Sequence, residues 1–225
     1  MKDFGLSRDV PVEQGRTALL FIDVQKYSAP GGGAYAHLAQ AEVEAGYGYF
    51  FREMQERTIP NMQRLQRAAR EAGVEVMYTV IESLTRDGRD LSLDYKISRL
   101  FCPKGSRDAE VVDEIAPADD EIVIPKTSSS VFVSTHIHYV LGNLGVKYLI
   151  LAGALTDQCV DSAVRDACDL GYLVTLATDA CATLSPARQE SALAHNQGYC
   201  RQCSTASLVA ELATFASAGA SAGGR

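Results

Sequence analysis

Three side chains capable of acid–base or nucleophilic chemistry occupy comparable places in this 225-residue chain. Asp23 lies near the end of the apolar run TALLFIDV, Lys126 closes DEIVIPK, and Cys159 follows LILAGALTDQ. A thiol with its ordinary pKa of about 8.5 is mostly protonated at neutral pH, so it attacks a carbonyl only when its surroundings favour the thiolate or remove its proton. A carboxylate can take that proton and hand it later to a leaving group. An ammonium keeps the carboxylate ionised, orients it and favours the thiolate. The apolar run breaks at Gly153 into a turn, and an amphipathic segment follows. Cys159 therefore stands where a helix begins, beside backbone N–H groups that can stabilise a thiolate or a developing oxyanion. Taken alone, the cysteine reads first as a small core residue, with half a disulfide or a metal ligand as the other readings. With Asp23 and Lys126 it reads as a nucleophile.

The elements around these residues explain how distant positions could meet. TALLFIDV, VEVMYTVI, DEIVIPK, VKYLILAG and YLVTLAT are short apolar runs typical of strands buried on both faces, with YCRQCS as a possible sixth. Between them, PNMQRLQRAAREAG, STHIHYVLGNLG, QCVDSAVRDACDLG and SPARQESALAHNQG carry apolar residues at helical spacing and stop at glycine, and TASLVAELATF ends the series. Pro60, Ser134 or Thr135, and Ser185 mark helix starts. Strands alternating with helices require crossover connections, which predicts a three-layer α/β/α sandwich with a mainly parallel, Rossmann-like sheet. Residues 1–215 form one domain in this reading, and the small-residue segment 216–225 a disordered tail. Ligands of such sheets bind beyond the carboxyl ends of the strands, where all three residues fall. Two long connections, Gln25 to Glu56 and Ile81 to Asp108, would surround that edge and set specificity.

Composition narrows the function classes. A hydrophobic content of 47% supports a substantial core. A net charge of −7 without a basic cluster argues against nucleic acid or an anionic membrane as partner. The first apolar run is too short for a secretion signal or a membrane span, which predicts a cytoplasmic protein with reduced cysteines acting on a small molecule.

Other candidates have plainer readings. Cys168 and Cys181 read as core residues, and Cys200 with Cys203 is a single CxxC whose members face opposite ways in a strand. His136 and His138 diverge on a helix, while His37 and His195 are isolated. APGGGAY lacks a nucleotide-binding glycine pattern. Tyr47 to Phe51, YGYFF, suits helical packing or a subunit contact, with pocket lining as a second use. Arg86, Arg89 and Lys96 could clamp a substrate carboxylate, but a solvated charged loop is the simpler expectation. Gln25, Tyr27, Phe132 and Gln158 adjoin the candidate residues and are possible substrate contacts.

FIDVQ, IPKTSSSVF and GALTDQCV together resemble the isochorismatase-like cysteine hydrolases, a family that includes nicotinamidases and N-carbamoylsarcosine and ureidoacrylate amidohydrolases. The resemblance extends from Thr17 to the last helix. It implies a catalytic triad of Asp23, Lys126 and Cys159, a covalent thioester on Cys159, an oxyanion hole formed by the amides of Leu155 and Cys159, and a cis peptide between Ala154 and Leu155. It also implies a homo-oligomer, dimer or tetramer. Nicotinamidases of the family bind a metal through an Asp and two His in a D-x-H pattern. The corresponding YTVIESLTRDGRD has no histidine, so the expectation is a site without metal or other cofactor. These features favour hydrolysis of a C–N bond in a small amide, ureido or carbamoyl compound. An enol-ether hydrolase without a covalent intermediate and a catalytically silent binding subunit are the alternatives.

Overall fold

A computed structural model describes residues 3–222, with backbone alone beyond residue 215. In chain order the elements are β1 (Thr17–Ile22), α1 (Gln40–Glu53), α2 (Ile59–Glu71), β2 (Glu75–Ile81), α3 (Leu93–Ile97), β3 (Ile122–Lys126), α4 (Val131–Ser134), α5 (Ile137–Asn143), β4 (Tyr148–Ala154), α6 (Asp161–Asp169), β5 (Leu173–Ala182), α7 (Pro186–Asn196), β6 (Arg201–Cys203) and α8 (Thr205–Ala222). The strands form one sheet in the order β3-β2-β1-β4-β5-β6, every pair parallel. The order reverses between β1 and β4, which opens a crevice at their carboxyl ends.

Side-chain alternation divides the core into two layers. Leu19 and Phe21 of β1 join Val76 and Tyr78 of β2 beneath Met62, Leu65 and Ala69 of α2 and Leu208 and Leu212 of α8. Ala18, Leu20 and Ile22 face the other way, with Leu149 and Leu151 of β4, against Ile137 and Leu141 of α5 and Val164 and Ala167 of α6. This is the three-layer sandwich expected from the sequence.

Several local expectations change. The first long connection is largely helical: α1 begins at Gln40 and continues through a π-helical turn, Met54–Thr58, into α2. The helix expected to start at Ser134 or Thr135 is two short ones, because Thr135 is extended and its Oγ1 accepts from Ile137 N at 3.1 Å. The terminal helix runs on through Ala222, into the stretch expected as a disordered tail; that stretch is alanine-rich, and alanine is the best helix former. Residues 223–225 of the tail lie outside the described residues. No helix among the described residues is long and apolar enough to cross a membrane.

Candidate active site

Asp23, Lys126 and Cys159 converge at the crevice. β1 delivers Asp23 one residue past its end, opposite the close of β2, with a backbone φ of 55° that a small polar residue tolerates. Lys126 ends β3, two strands away, a lateral distance of about 10 Å. Its side chain is long enough to return across β2, and Nζ lies 2.9 Å from Asp23 Oδ2 and 3.5 Å from Cys159 Sγ. β4 ends at Ala154, the Ala154–Leu155 peptide is cis, and Cys159 sits in a π-helical turn, Thr156–Val160, ahead of α6.

Gly153 brings β4 close to β1. With φ of 143°, a Cβ built there would lie 2.3 Å from the Ile22 carbonyl oxygen, so only glycine allows the approach. The turn itself is pinned from behind. Asp157 accepts from Thr183 Oγ1 and from Arg188 Nε, both at 2.5 Å, and Thr156 Oγ1 donates to Gln189 Oε1 at 2.7 Å.

The three side chains are almost completely withdrawn from solvent. Thr79 Oγ1 donates to Asp23 Oδ1 at 2.8 Å, while Oδ2 has no hydrogen-bond donor beyond its ion-pair contact with Lys126. Burial works against the charge on Lys126, but Asp23 and Cys159 outweigh it and raise its pKa. Burial and the Asp23 charge push the Cys159 thiol up to about 12, against an opposing effect of Lys126. Lys126 and Asp23 already cancel, so ionising the thiol would leave a net negative charge in a buried site. The thiol therefore rests protonated, and Asp23 Oδ2 is the acceptor within the cluster.

Tyr95 is a fourth member that the sequence reading missed. Its hydroxyl lies 2.7 Å from Lys126 Nζ and 3.9 Å from Cys159 Sγ. Lys126 can only donate, so the phenol accepts from it, and either the phenol or the thiol donates in the contact between Tyr95 and the sulfur. Burial, then Cys159 and Asp23, raises the tyrosine pKa and holds the phenol neutral. The signal was Ser92, which caps α3 by accepting from Tyr95 N at 3.2 Å, together with an aromatic residue in a polar stretch. Tyr95 belongs to a small apolar cluster with Tyr27, Ile81, Leu91 and Cys102, which gives the second long connection a core of its own.

The cluster opens on a cavity of about 500 Å³ whose walls include Tyr27, Tyr35, Tyr47, Phe50, Leu155 and Gln158. Tyr27 and Gln158 therefore stand where substrate contact is possible, and the YGYFF segment contributes lining through Tyr47 and Phe50. Gln25 and Phe132 do not line it. Gln25 is consumed by the backbone: its amide accepts from Ile81 N and donates to the carbonyls of Ile81 and Asp108. Phe132 packs on Tyr172 with ring centroids 6.0 Å apart. Arg89 pairs with Asp87, Lys96 donates to the Arg89 carbonyl, and neither they nor Arg86 lines the cavity. His138 contacts Tyr172 Oη at 2.8 Å, Cys200 donates to the Asn196 carbonyl, and all six cysteines are unpaired. Among the described residues, no group of three or more His, Cys, Asp or Glu is arranged to hold a metal ion.

Comparison with known proteins agrees with this architecture. A family model described as an isochorismatase domain matches residues 17–207. The chain is 30% identical over 204 residues to a ureidoacrylate amidohydrolase of Rhizobium rhizogenes, covering 83% of this chain and 78% of that protein. It is 38% identical over 140 residues to an N-carbamoylsarcosine amidase of an Arthrobacter species, covering 60% of this chain and 53% of that one. Among solved structures, a cysteine hydrolase from Pseudomonas syringae pv. phaseolicola has the same fold, with a TM-score of 0.76 over 92% of this chain and 96% of that chain at 23% identity. The matched span takes in every strand of the sheet and the whole buried cluster, and the chain belongs to the isochorismatase family of hydrolases.

Proposed function

We propose that this protein is a metal-independent cysteine amidohydrolase that cleaves a C–N bond in a small amide, ureido or carbamoyl compound. The observation that carries the reading is the buried contact of Lys126 with both Asp23 and Cys159 at the floor of a cavity. The names of the two curated relatives, an amidohydrolase and an amidase, point to the same bond.

In this mechanism Asp23 takes the thiol proton as Sγ attacks the substrate carbonyl carbon. The amides of Leu155 and Cys159 receive the oxyanion, and Lys126 offsets the charge that moves between sulfur and carboxylate. The tetrahedral intermediate collapses, the C–N bond breaks, and the leaving nitrogen departs with the proton from Asp23. Water then attacks the thioester, giving one proton to Asp23, and the released thiolate recovers it. The products are ammonia or an amine and a carboxylic or carbamic acid. Tyr95 holds Lys126 and the sulfur in register. The absence of histidine in YTVIESLTRDGRD supports a reaction that needs no metal ligand there.

Ammonia release from a panel of small amides, ureides and carbamoyl compounds tests the proposal. The expected result is release that survives a chelator and disappears in Cys159→Ala. Release that the chelator abolishes, release undiminished in the variant, or no release from any compound would overturn it.

A further inference from the structure

We infer that the substrate carries a neutral or cationic group, and no carboxylate, into the outer part of the cavity. This inference deepens the amidohydrolase reading and rests on it. Among the described residues, no lysine or arginine lines the cavity. Lys126, beneath its floor, is fully buried, and its three N–H groups are already surrounded by Tyr95 Oη, the Ser128 carbonyl at 2.7 Å, Asp23 and Cys159. It has nothing left to offer a substrate anion.

The charges that do line the outer cavity are acidic: Asp94, Asp157 and Asp161. Two are neutralised from behind, Asp157 by Arg188 at 2.5 Å and Asp161 by Arg165 at 2.9 Å, and neither arginine reaches the lining. Asp94, on α3 one residue from Tyr95, is exposed and has no ion-pair partner among the described residues. Among the described residues, His37 is the remaining ionisable side chain on the walls that carries a nitrogen. A substrate carboxylate entering here would lose water, find no cation and approach Asp94. The walls also carry the uncharged polar residues Ser28, Ser98 and Ser129, which suit a neutral amide, while Asp94 and the aromatic Tyr35 and Tyr47 suit an ammonium.

Alkylation of Cys159 by three reagents of matched size reads this preference without needing to know the substrate. Iodoacetate is anionic, iodoacetamide neutral and bromoethylamine cationic. Each rate is divided by the rate of the same reagent with a free small thiol at about pH 8, above the range where imidazole side chains ordinarily carry charge. Labelling is mapped to Cys159 by mass spectrometry, with Cys159→Ala as the control. The expected result is normalised labelling by iodoacetate about tenfold or more below iodoacetamide, bromoethylamine equal to or above it, and a narrowed spread in Asp94→Asn. Equal or faster labelling by iodoacetate, a spread unchanged by Asp94→Asn, or no labelling by any reagent overturns the inference. Failure of the amidohydrolase reading appears separately, as selective labelling without ammonia release from any member of the amide panel.

Discussion

The resting state of Cys159 follows from the charge balance around it. One cation and one anion already share the buried space, so the sulfur is more stable as a neutral thiol. With the thiol value raised to about 12, its alkylation rate should climb roughly tenfold per pH unit from neutrality and show no plateau below about pH 10. A plateau near pH 7, read from initial rates of iodoacetamide labelling, would mean a resting thiolate instead. Tyr95→Phe keeps the buried ring and removes only the hydroxyl between Lys126 and the sulfur. The lost hydrogen bond to a charged group is expected to lower kcat about tenfold or more with KM nearly unchanged. If steady-state kinetics show both constants intact, the hydroxyl does not help to hold the reacting groups. Lys126→Met leaves the Asp23 carboxylate buried without its counter-charge and should cost about 3–5 kcal/mol in urea unfolding. Adding Asp23→Asn to that variant should restore much of the loss.

At the scale of elements, the site depends on how closely β4 can run beside β1. Gly153 has no space for a side chain against Ile22, and any methyl group there must part the two strands that carry Asp23 and the cysteine turn. Gly153→Ala is expected to destabilise the fold by about 1–3 kcal/mol and to lower activity further than the loss of folded protein explains. Thermal melting and activity per folded molecule, measured together, separate the two effects. The turn bearing Cys159 is also held by Asp157, whose carboxylate joins it to Thr183 after β5 and to Arg188 on α7. The elements behind Cys159 are thus cross-linked. The second long connection relies on its own apolar cluster and on the Ser92 cap of α3. Ser92→Ala should cost about 1 kcal/mol and loosen Tyr95 before it loosens the sheet, a sequence visible as hydrogen exchange that quickens first around residues 93–97.

Across the whole molecule, two core layers hold the sheet rigid enough to bring residues from three strand ends together. α8 closes one layer through Leu208 and Leu212 against α2. Leu212→Ala is expected to lower unfolding free energy by about 2–5 kcal/mol while leaving the labelling rate of folded Cys159 unchanged, because the cysteine lies against the opposite layer. Much of this architecture could be read from pattern alone. Continuous apolar strands, helices with period near 3.6 and glycine stops dictate a parallel α/β sandwich, and a polar residue at the end of a buried strand must emerge at the sheet edge. The convergence of Asp23 and Lys126 at one edge was legible for that reason, and that of Cys159 from the glycine break and turn that follow β4. Tyr95 and Thr79 were not, because a side chain in an aperiodic connection and one inside a strand acquire a role only from what lies across the gap. Gln25 and Phe132 looked close to the site because they are near it in sequence, yet rotation of the chain after β1 and β3 turns them into the backbone network and the core. The protonation of the thiol and the charge of the cavity were likewise decided by tertiary structure alone. Desolvation and the distances between charges arise only once distant segments have been packed together, whereas the periodicities that built the sheet are local properties of the chain.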